Sequence, residues 1–340
     1  MLLFGKDTEK EIVVVAEVGM NHEGSVDWIL EMLPKIKEAG ADAVKFQLFT
    51  PNLFISSSNP KRFEIVKKMA LSKSQFEEIY SFCVNLDLNV FATAVSHDWV
   101  SYISHKCGVV KIASGDFVFS PTIDSALKSD AKIIVSTGAS SREEIVQFSQ
   151  KAKQIRSGNY YSESIAILHC ISSYPPKLEQ ANLHAISDIR NLTGLTVGFS
   201  SHFLEDSPIY ASLALGARVF EIHVTDDRSK LSFRDHALSR TPIELKLLIS
   251  SLRQIDKSLK SKVKTVQKDE QEIQLSIRKG PIYSRFLNEG DVIRESDISY
   301  ARPASSEFSS TVEIIGRRLK QSVAEGESIH SSHFLEFTGN

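Results

Sequence analysis

Eight short apolar runs, each set apart from the next by an amphipathic or polar stretch, constrain the fold of this chain more than any other feature. They are Ile12–Gly19, Ala43–Phe49, Asn89–Val95, Val109–Gly115, Lys132–Gly138, Ser164–Cys170, Thr196–His202 and Val219–Thr225. Each is 7–8 residues long and rich in β-branched residues, the signature of parallel strands buried on both faces. The stretches between them carry helical spacing. Trp28, Ile29, Met32, Leu33 and Ile36 share one face of a helix predicted over Ser25–Ala39, with Gly40 as its stop. Phe76, Ile79, Tyr80, Phe82 and Cys83 do the same for Ser74–Leu86. Ser140 or Ser141 caps a helix start before Ile145 and Phe148, and Pro242–Leu259 supplies a last outer helix. Eight strand–helix alternations in about 250 residues match an α/β (βα)8 TIM barrel. A doubly wound open sheet is the rival, but the first turn, VGMNHEG, lacks the G-x-G-x-x-G of a dinucleotide fold.

The texture changes after Leu259. Residues 260–275 are polar and charged and read as a linker between a barrel domain, 1–259, and a small β-rich module, 276–340. Two near-repeats, LNEGDVIRESDI and VAEGESIHSSHF, place a glycine turn between short strands in that module. Forty basic against forty-two acidic residues, with no basic block, give no nucleic-acid footprint. No apolar run approaches the roughly 20 residues of a membrane span. The first run ends in Glu17 without a small-residue cleavage site and reads as a strand, not a secretory signal. Cys83, Cys107 and Cys170 lie far apart, which points to reduced thiols and a cytoplasmic location.

Catalytic groups of such barrels sit at the C-terminal ends of the strands. Here every end delivers polar groups: Glu17; Lys45 and Gln47; Thr93; Lys111, Ser114 and Asp116; Ser136; His169, Ser172 and Tyr174; Ser200 and His202; Glu221 and His223. Two lysines with Thr93, Ser114, Ser136, Ser172 and Ser200 suit a small anion carrying phosphate and carboxylate. His202 and His223 end consecutive strands, which lie roughly 4.8 Å apart in a parallel sheet, close enough to share one divalent metal. His169 reads as a satisfied barrel histidine and Cys170 as core. His22 is read as a site residue over a turn residue, and His236 either orients Asp235 or packs.

The motifs AEVGMNHEGS, AGADAVKFQ, KIASGD, VSTG, LHC followed by SYP, GFSSH, FEIHVT and DHALS occur in this order. Together they resemble the sialic acid synthase family, the N-acetylneuraminate, legionaminate and pseudaminate synthases. The C-terminal module, with YARP, IIGRRL and an EG turn, resembles that family's antifreeze-like (SAF) domain, so the likeness runs from Ile12 to Phe337. The resemblance implies condensation of phosphoenolpyruvate with an N-acetylated amino-sugar aldehyde and water, giving a nine-carbon 2-keto acid and phosphate. It implies a divalent metal, usually manganese, on His202 and His223. Lys45, Gln47, Thr93, Lys111, Ser114, Ser136, Ser172 and Ser200 would hold phosphoenolpyruvate. Glu17, Asp116, Tyr174, Glu221 and Asp235 would face the sugar and the reacting centre, with Glu17 and Asp116 both open as general base. Arg302, in YARP, would reach the sugar's acyl group in a neighbouring subunit, which requires a domain-swapped homodimer.

The chain departs from the family pattern at Ala94 and Val95, and at Phe233 and Arg234 beside Asp235, where relatives often carry Gly-Pro or Gly-Thr. These changes bear on the acceptor sugar more than on the reaction. Two other functions stay open on the sequence: a 3-deoxy sugar-acid phosphate aldolase with a sugar-phosphate acceptor, and a catalytically silent carbohydrate-binding barrel. The first needs a second phosphate site, for which the sequence shows no spare basic cluster. The second is disfavoured by the retention of Lys45, Lys111, Asp116, His202 and His223.

Overall fold

The computed structural model describes residues 1–230, 233–261, 263–303, 308 and 311–335. Phe337, where the resemblance ends, lies outside them. The chain divides into two compact units, Met1–Lys260 and Ser261–Asn340. Among the described residues no helix is long and apolar enough to cross a membrane.

The first unit opens with a hairpin, β1 (Leu2–Leu3) and β2 (Lys6–Asp7). Eight parallel strands follow: β3 (Val13–Gly19), β4 (Ala43–Leu48), β5 (Asn89–Ala94), β6 (Val109–Ile112), β7 (Lys132–Ser136), β8 (Ile165–His169), β9 (Thr196–Ser201) and β10 (Val219–His223). They pair in chain order, and β10 pairs with β3 to close the barrel. The helices α1 (Val26–Ala39), α2 (Pro51–Phe54), α3 (Pro60–Met69), α4 (Lys73–Asn85), α5 (Val100–Cys107), α6 (Ser120–Lys128) and α7 (Arg142–Ile155) lie between the first six strands. The rest of the unit adds α8 (Asn159–Ser164), α9 (Ala185–Thr193), α10 (Ser207–Ala214), α11 (Asp235–Leu238) and α12 (Pro242–Ser258).

The predicted starts and stops are made by the residues that signalled them. Ser25 caps α1 and Gly40, at φ +89°, ends it. Ser141, not Ser140, builds the capping box of α7 with Glu144. Most barrel strands stop one to three residues before the predicted ends; Ser114–Asp116, for instance, forms a short 3-10 turn instead. Ser114 and Asp116 thereby leave the ladder and line the mouth of the barrel.

In the second unit, part of the predicted linker is a helix, α13 (Lys268–Ile277), opened by Gln267 and Glu270. Beyond it β11 (Gly280–Tyr283) pairs antiparallel with β12 (Ile298–Ala301). The two near-repeats form a local two-fold. Leu287 and Val323 exchange both backbone hydrogen bonds. Gly290 donates to the Leu319 carbonyl as Gly326 donates to that of Tyr283, and Ile293 donates to Arg317 as Ile329 donates to Pro281. Both turn glycines stand at positive φ, +87° and +80°, where a side chain would strain the backbone. The unit has its own apolar core, including Tyr283, Ile293, Leu319, Ile329 and Phe334.

The barrel has two apolar layers. One lies between strands and helices. The other fills the interior and holds Val13, Val15, Ala43, Phe91, Val109, Ile134, Ala166, Leu168 and Val219. Leu3 from the hairpin belongs to this inner cluster and is fully buried, while the Phe4 ring packs on Phe91 at 5.2 Å. The hairpin therefore plugs the N-terminal end, which the sequence reading did not anticipate. Leu3→Ala should cost about 2–4 kcal/mol through a cavity under the barrel floor. Both tryptophans, Trp28 and Trp99, lie in this unit, so denaturation followed by their fluorescence reports on the barrel. An unchanged midpoint would show that the plug contributes nothing.

Candidate active site

The C-terminal ends of the strands open into a cavity of about 900 Å3. It is lined by Glu17, Lys45, Gln47, Thr93, Lys111, Ser114, Asp116, Ser136, Ser172, Tyr174, Ser200, His202, Glu221, His223 and Asp235, every barrel residue that the family resemblance implies for the site. Arg302 follows β12 in the second unit, where it is exposed.

Strand register creates the floor. Glu17 stands beside Lys45, Gln47 beside Thr93, Thr93 beside Lys111, and Ser200 beside Glu221. Lys45 Nζ lies 2.7 Å from Glu17 Oε2 and 3.7 Å from Glu221 Oε2, and it donates to Thr93 Oγ1 at 2.6 Å. Lys111 Nζ lies 3.7 Å from the same Glu221 oxygen and donates to Ser136 Oγ at 2.7 Å. Gln47 donates to the other oxygen of Glu17 at 2.8 Å, and Ser200 to the other oxygen of Glu221 at 3.1 Å.

All four charged groups are buried. An unpaired buried ion costs several kcal/mol, so neither sign is stable here without the other. Burial pulls the Lys45 ammonium down, but Glu17 and Glu221 outweigh it and hold the pKa above the ordinary lysine value. For Lys111, burial wins over Glu221 and the pKa falls. Burial would raise Glu221, yet Lys111, Lys45 and His223 together lower it. Glu17 and Glu221 are thus counter-charges of the lysines, and both also line the cavity.

Beside Lys111 is a cradle of small polar atoms. A Cβ on Gly138 would sit 2.2 Å from Ser172 Oγ, 2.8 Å from Cys170 Sγ and 2.9 Å from Ser114 Oγ. Only glycine leaves those groups room to converge. Ser114 Oγ accepts from the Gly138 amide at 3.0 Å and lies 3.1 Å from the Cys170 sulfur, so Cys170, read as core, also lines the site.

The His202 and His223 rings lie 5.4 Å apart. His202 Nδ1 lies 2.8 Å from the Ile171 carbonyl, which can only accept, so its proton is on Nδ1 and its lone pair on Nε2. Burial, with His223 nearby, depresses the His202 pKa to about 3 and keeps the ring neutral. His223 Nδ1 is buried without a hydrogen-bond partner. The neutral His202 ring, with its Nε2 lone pair, and the unpartnered Nδ1 of the neighbouring His223 suit a divalent cation. Among the described residues no group of three or more His, Cys, Asp and Glu is arranged to hold one. Water or substrate would complete the coordination.

Asp116 stands apart from the floor. Burial raises its pKa to about 6, and no hydrogen bond or ion pair among the described residues reaches its carboxylate. Arg234 lies 4.4 Å over the Tyr174 ring and 3.4 Å from Asp235 Oδ1. His236, fully buried, is held by Thr225 Oγ1 at 2.7 Å and Glu23 Oε1 at 3.2 Å, next to Asp235 in sequence. His22 accepts from the Gly24 amide at 3.0 Å and does not line the cavity, so it is a turn residue and not the site residue expected. His169 is satisfied by the Ala181 carbonyl at 2.9 Å, as read.

Residues 32–264 match the model of the NeuB family. This chain belongs to the NeuB family. It is 32% identical to an uncharacterized protein of Methanocaldococcus jannaschii, over 95% of this chain and 94% of the other. It is 28% identical to an N,N'-diacetyllegionaminic acid synthase of Campylobacter jejuni, over 87% of this chain and 92% of the relative. Its fold superposes on the crystal structure of the N-acetylneuraminic acid (sialic acid) synthetase from Leptospira borgpetersenii with TM-score 0.72 and 28% identity, covering 77% of this chain and 90% of that one. The sequence comparisons therefore place the chain among sialic acid-type synthases.

For this NeuB family member, sequence reasoning missed one wall of the cavity. Leu53, Phe54, Ile65, Val66 and Met69, from α2 and α3, line it with Met20 and Phe233. The signal was present: 25 residues separate Leu48 from the Ser74 helix start, too many for a plain turn, and they carry apolar residues at helical spacing.

The raised Asp116 pKa has a stability consequence. The native state binds this proton more tightly than the unfolded chain, so stability falls as pH rises from about 4 through 6 and stays lower above. Asp116→Asn should therefore be more stable than the parent at pH 7.5, with the difference vanishing toward pH 4. Equal fluorescence-detected midpoints at both pH values would rule out the raised pKa.

Proposed function

We propose that the protein condenses phosphoenolpyruvate with an N-acetylated amino-sugar aldehyde and water, forming a nine-carbon 2-keto sugar acid and releasing phosphate. The observation that carries this reading is the floor itself: two buried lysines, balanced by two glutamates, beside a hydroxyl cradle and the His202–His223 pair. A compact anion with phosphate and carboxylate groups matches the lysines and hydroxyls, and its charge is favoured where water is excluded.

In the proposed reaction, Lys111, Ser136, Ser114 and Ser172 hold the phosphate end, while Lys45, Gln47 and Thr93 hold the rest of phosphoenolpyruvate. C3 of the enol attacks the aldehyde carbon, the aldehyde oxygen takes a proton, and water adds to C2. The C2–O bond to phosphate then breaks. His202 and His223 would hold a divalent metal, which supplies Lewis acidity for an aldehyde oxygen gaining charge. Glu17 has one oxygen on Lys45 and the other on Gln47, whereas Asp116 carries no such partners and has a pKa near the working range. Asp116 is therefore the better base for the attacking water. Asp235 and Tyr174, at the mouth, orient the sugar.

Phosphate release from phosphoenolpyruvate, with manganese and candidate amino sugars, tests the reaction; no release with any acceptor sinks it. Lys111→Ala should raise KM for phosphoenolpyruvate roughly tenfold or more, as expected for a lost charge-assisted hydrogen bond. An unchanged KM would make the lysine purely structural. His202→Ala and His223→Ala should each abolish manganese binding in calorimetry, and retention of binding would remove the metal from these residues. The acid limb of kcat/KM should rise with pH through about 6 and disappear in Asp116→Asn.

A further inference from the structure

The barrel closes where its first and last strands, β3 and β10, lie side by side. Every other pair of neighbouring strands is also joined by a stretch of chain through the helix layer, but this pair is not consecutive in sequence. The loops at the mouth on either side of this seam must therefore be tied by side chains. The segment Asp235–Arg240, which begins as α11, is what ties them.

Three links run from it. His236 is fully buried, with Nδ1 2.7 Å from Thr225 Oγ1, just past β10, and Nε2 3.2 Å from Glu23 Oε1, in the turn after β3. Ser239 Oγ donates to the Asp235 carbonyl at 2.6 Å and accepts from Asn21 Nδ2 at 2.8 Å, and the same nitrogen donates to the Val224 carbonyl at 2.8 Å. The Arg240 amide donates to the His223 carbonyl at 2.8 Å, and the Thr225 amide donates to the Arg240 carbonyl at 3.0 Å. The segment is thus fastened to both sides of the seam.

The Asp235 side chain has no such hold. Its Oδ1 is buried without a hydrogen-bond partner, with Arg234 Nε 3.4 Å away. A carboxylate oxygen that no donor fixes takes its position from the backbone that carries it. His236 is the next residue, so its two contacts fix that backbone. Thr225, His236 and Glu23 also stand in the order of a nucleophile, base and acid. Thr225, however, is fully buried and does not line the cavity, so no substrate reaches its hydroxyl.

Resting on the synthase reading above, we propose that His236 is a positioning residue: bonded to Thr225 and Glu23 across the seam, it holds α11 so that the Asp235 carboxylate meets the acceptor sugar.

The test measures phosphate release by the full chain with manganese, phosphoenolpyruvate and whichever of N-acetylmannosamine and a 2,4-diacetamido-2,4,6-trideoxyhexose the parent turns over. His236→Phe keeps a ring of similar shape and removes both bonds. It should raise KM for the acceptor roughly tenfold or more, with KM for phosphoenolpyruvate and the affinity for manganese within about twofold of the parent. His236→Gln, whose amide nitrogen reaches the Nε2 place and keeps the bond to Glu23, should recover most of the loss. Ser239→Ala, a milder change, should raise the acceptor KM several-fold with the same selectivity. In an Asp235→Asn background, His236→Phe should add less than about twofold, because it acts through that carboxylate. A parent-like acceptor KM in His236→Phe with intact tryptophan fluorescence overturns the inference. Where fluorescence shows that variant unfolded, a parent-like acceptor KM in Ser239→Ala does so. Equal losses toward phosphoenolpyruvate, acceptor and manganese, or additive losses in the double variant, show a structural role only and also overturn it. No phosphate release by the parent overturns the synthase reading and this inference with it.

Discussion

Two positive and two negative charges share the inside of this barrel, and the rest of the site is arranged around that balance. Lys45, Glu17, Glu221 and Lys111 are buried where an unpaired ion would cost several kcal/mol. Strand register is what lets them neutralise one another, because Glu17 and Lys45 are ladder neighbours across β3 and β4. The barrel can therefore hold two ammonium groups at its floor before any anion arrives. An incoming anion competes for lysines already desolvated and oriented, and little reorganisation remains at binding.

The same burial sets the state of the neighbouring groups in opposite directions. It keeps His202 neutral, with its lone pair directed away from the Ile171 carbonyl, and it pushes Asp116 toward the neutral acid. One environment thus produces a metal-compatible imidazole and a carboxylate whose proton is exchanged near neutral pH. These roles separate because the floor lysines hold Glu17 and Glu221, whereas Asp116 lies beyond their reach.

Much of this was legible in the sequence. The eight runs, their polar ends, Ser25 and Gly40 on α1, and the pairing of His202 with His223 follow from local pattern and strand order. The near-repeats around Gly290 and Gly326 proved to be two halves of one local two-fold. What failed was long-range. Nothing near Leu3 in the chain shows that it plugs the far end of a barrel. Nothing near Glu221 shows that both lysines converge on one of its oxygens. His22 looked like a site residue because it follows a strand end, yet the tight turn to Gly24 takes its ring nitrogen.

Periodicity and residue type determined the barrel, its polar mouth and the kind of anion it suits, because strand burial and side-chain alternation are local properties that survive in one dimension. Tertiary structure alone decided which carboxylates neutralise lysines and which is left with a raised pKa. It also decided that one side of the cavity is apolar. Those outcomes depend on which strands stand next to and across from one another when the ring closes, and on the loss of water that closure brings.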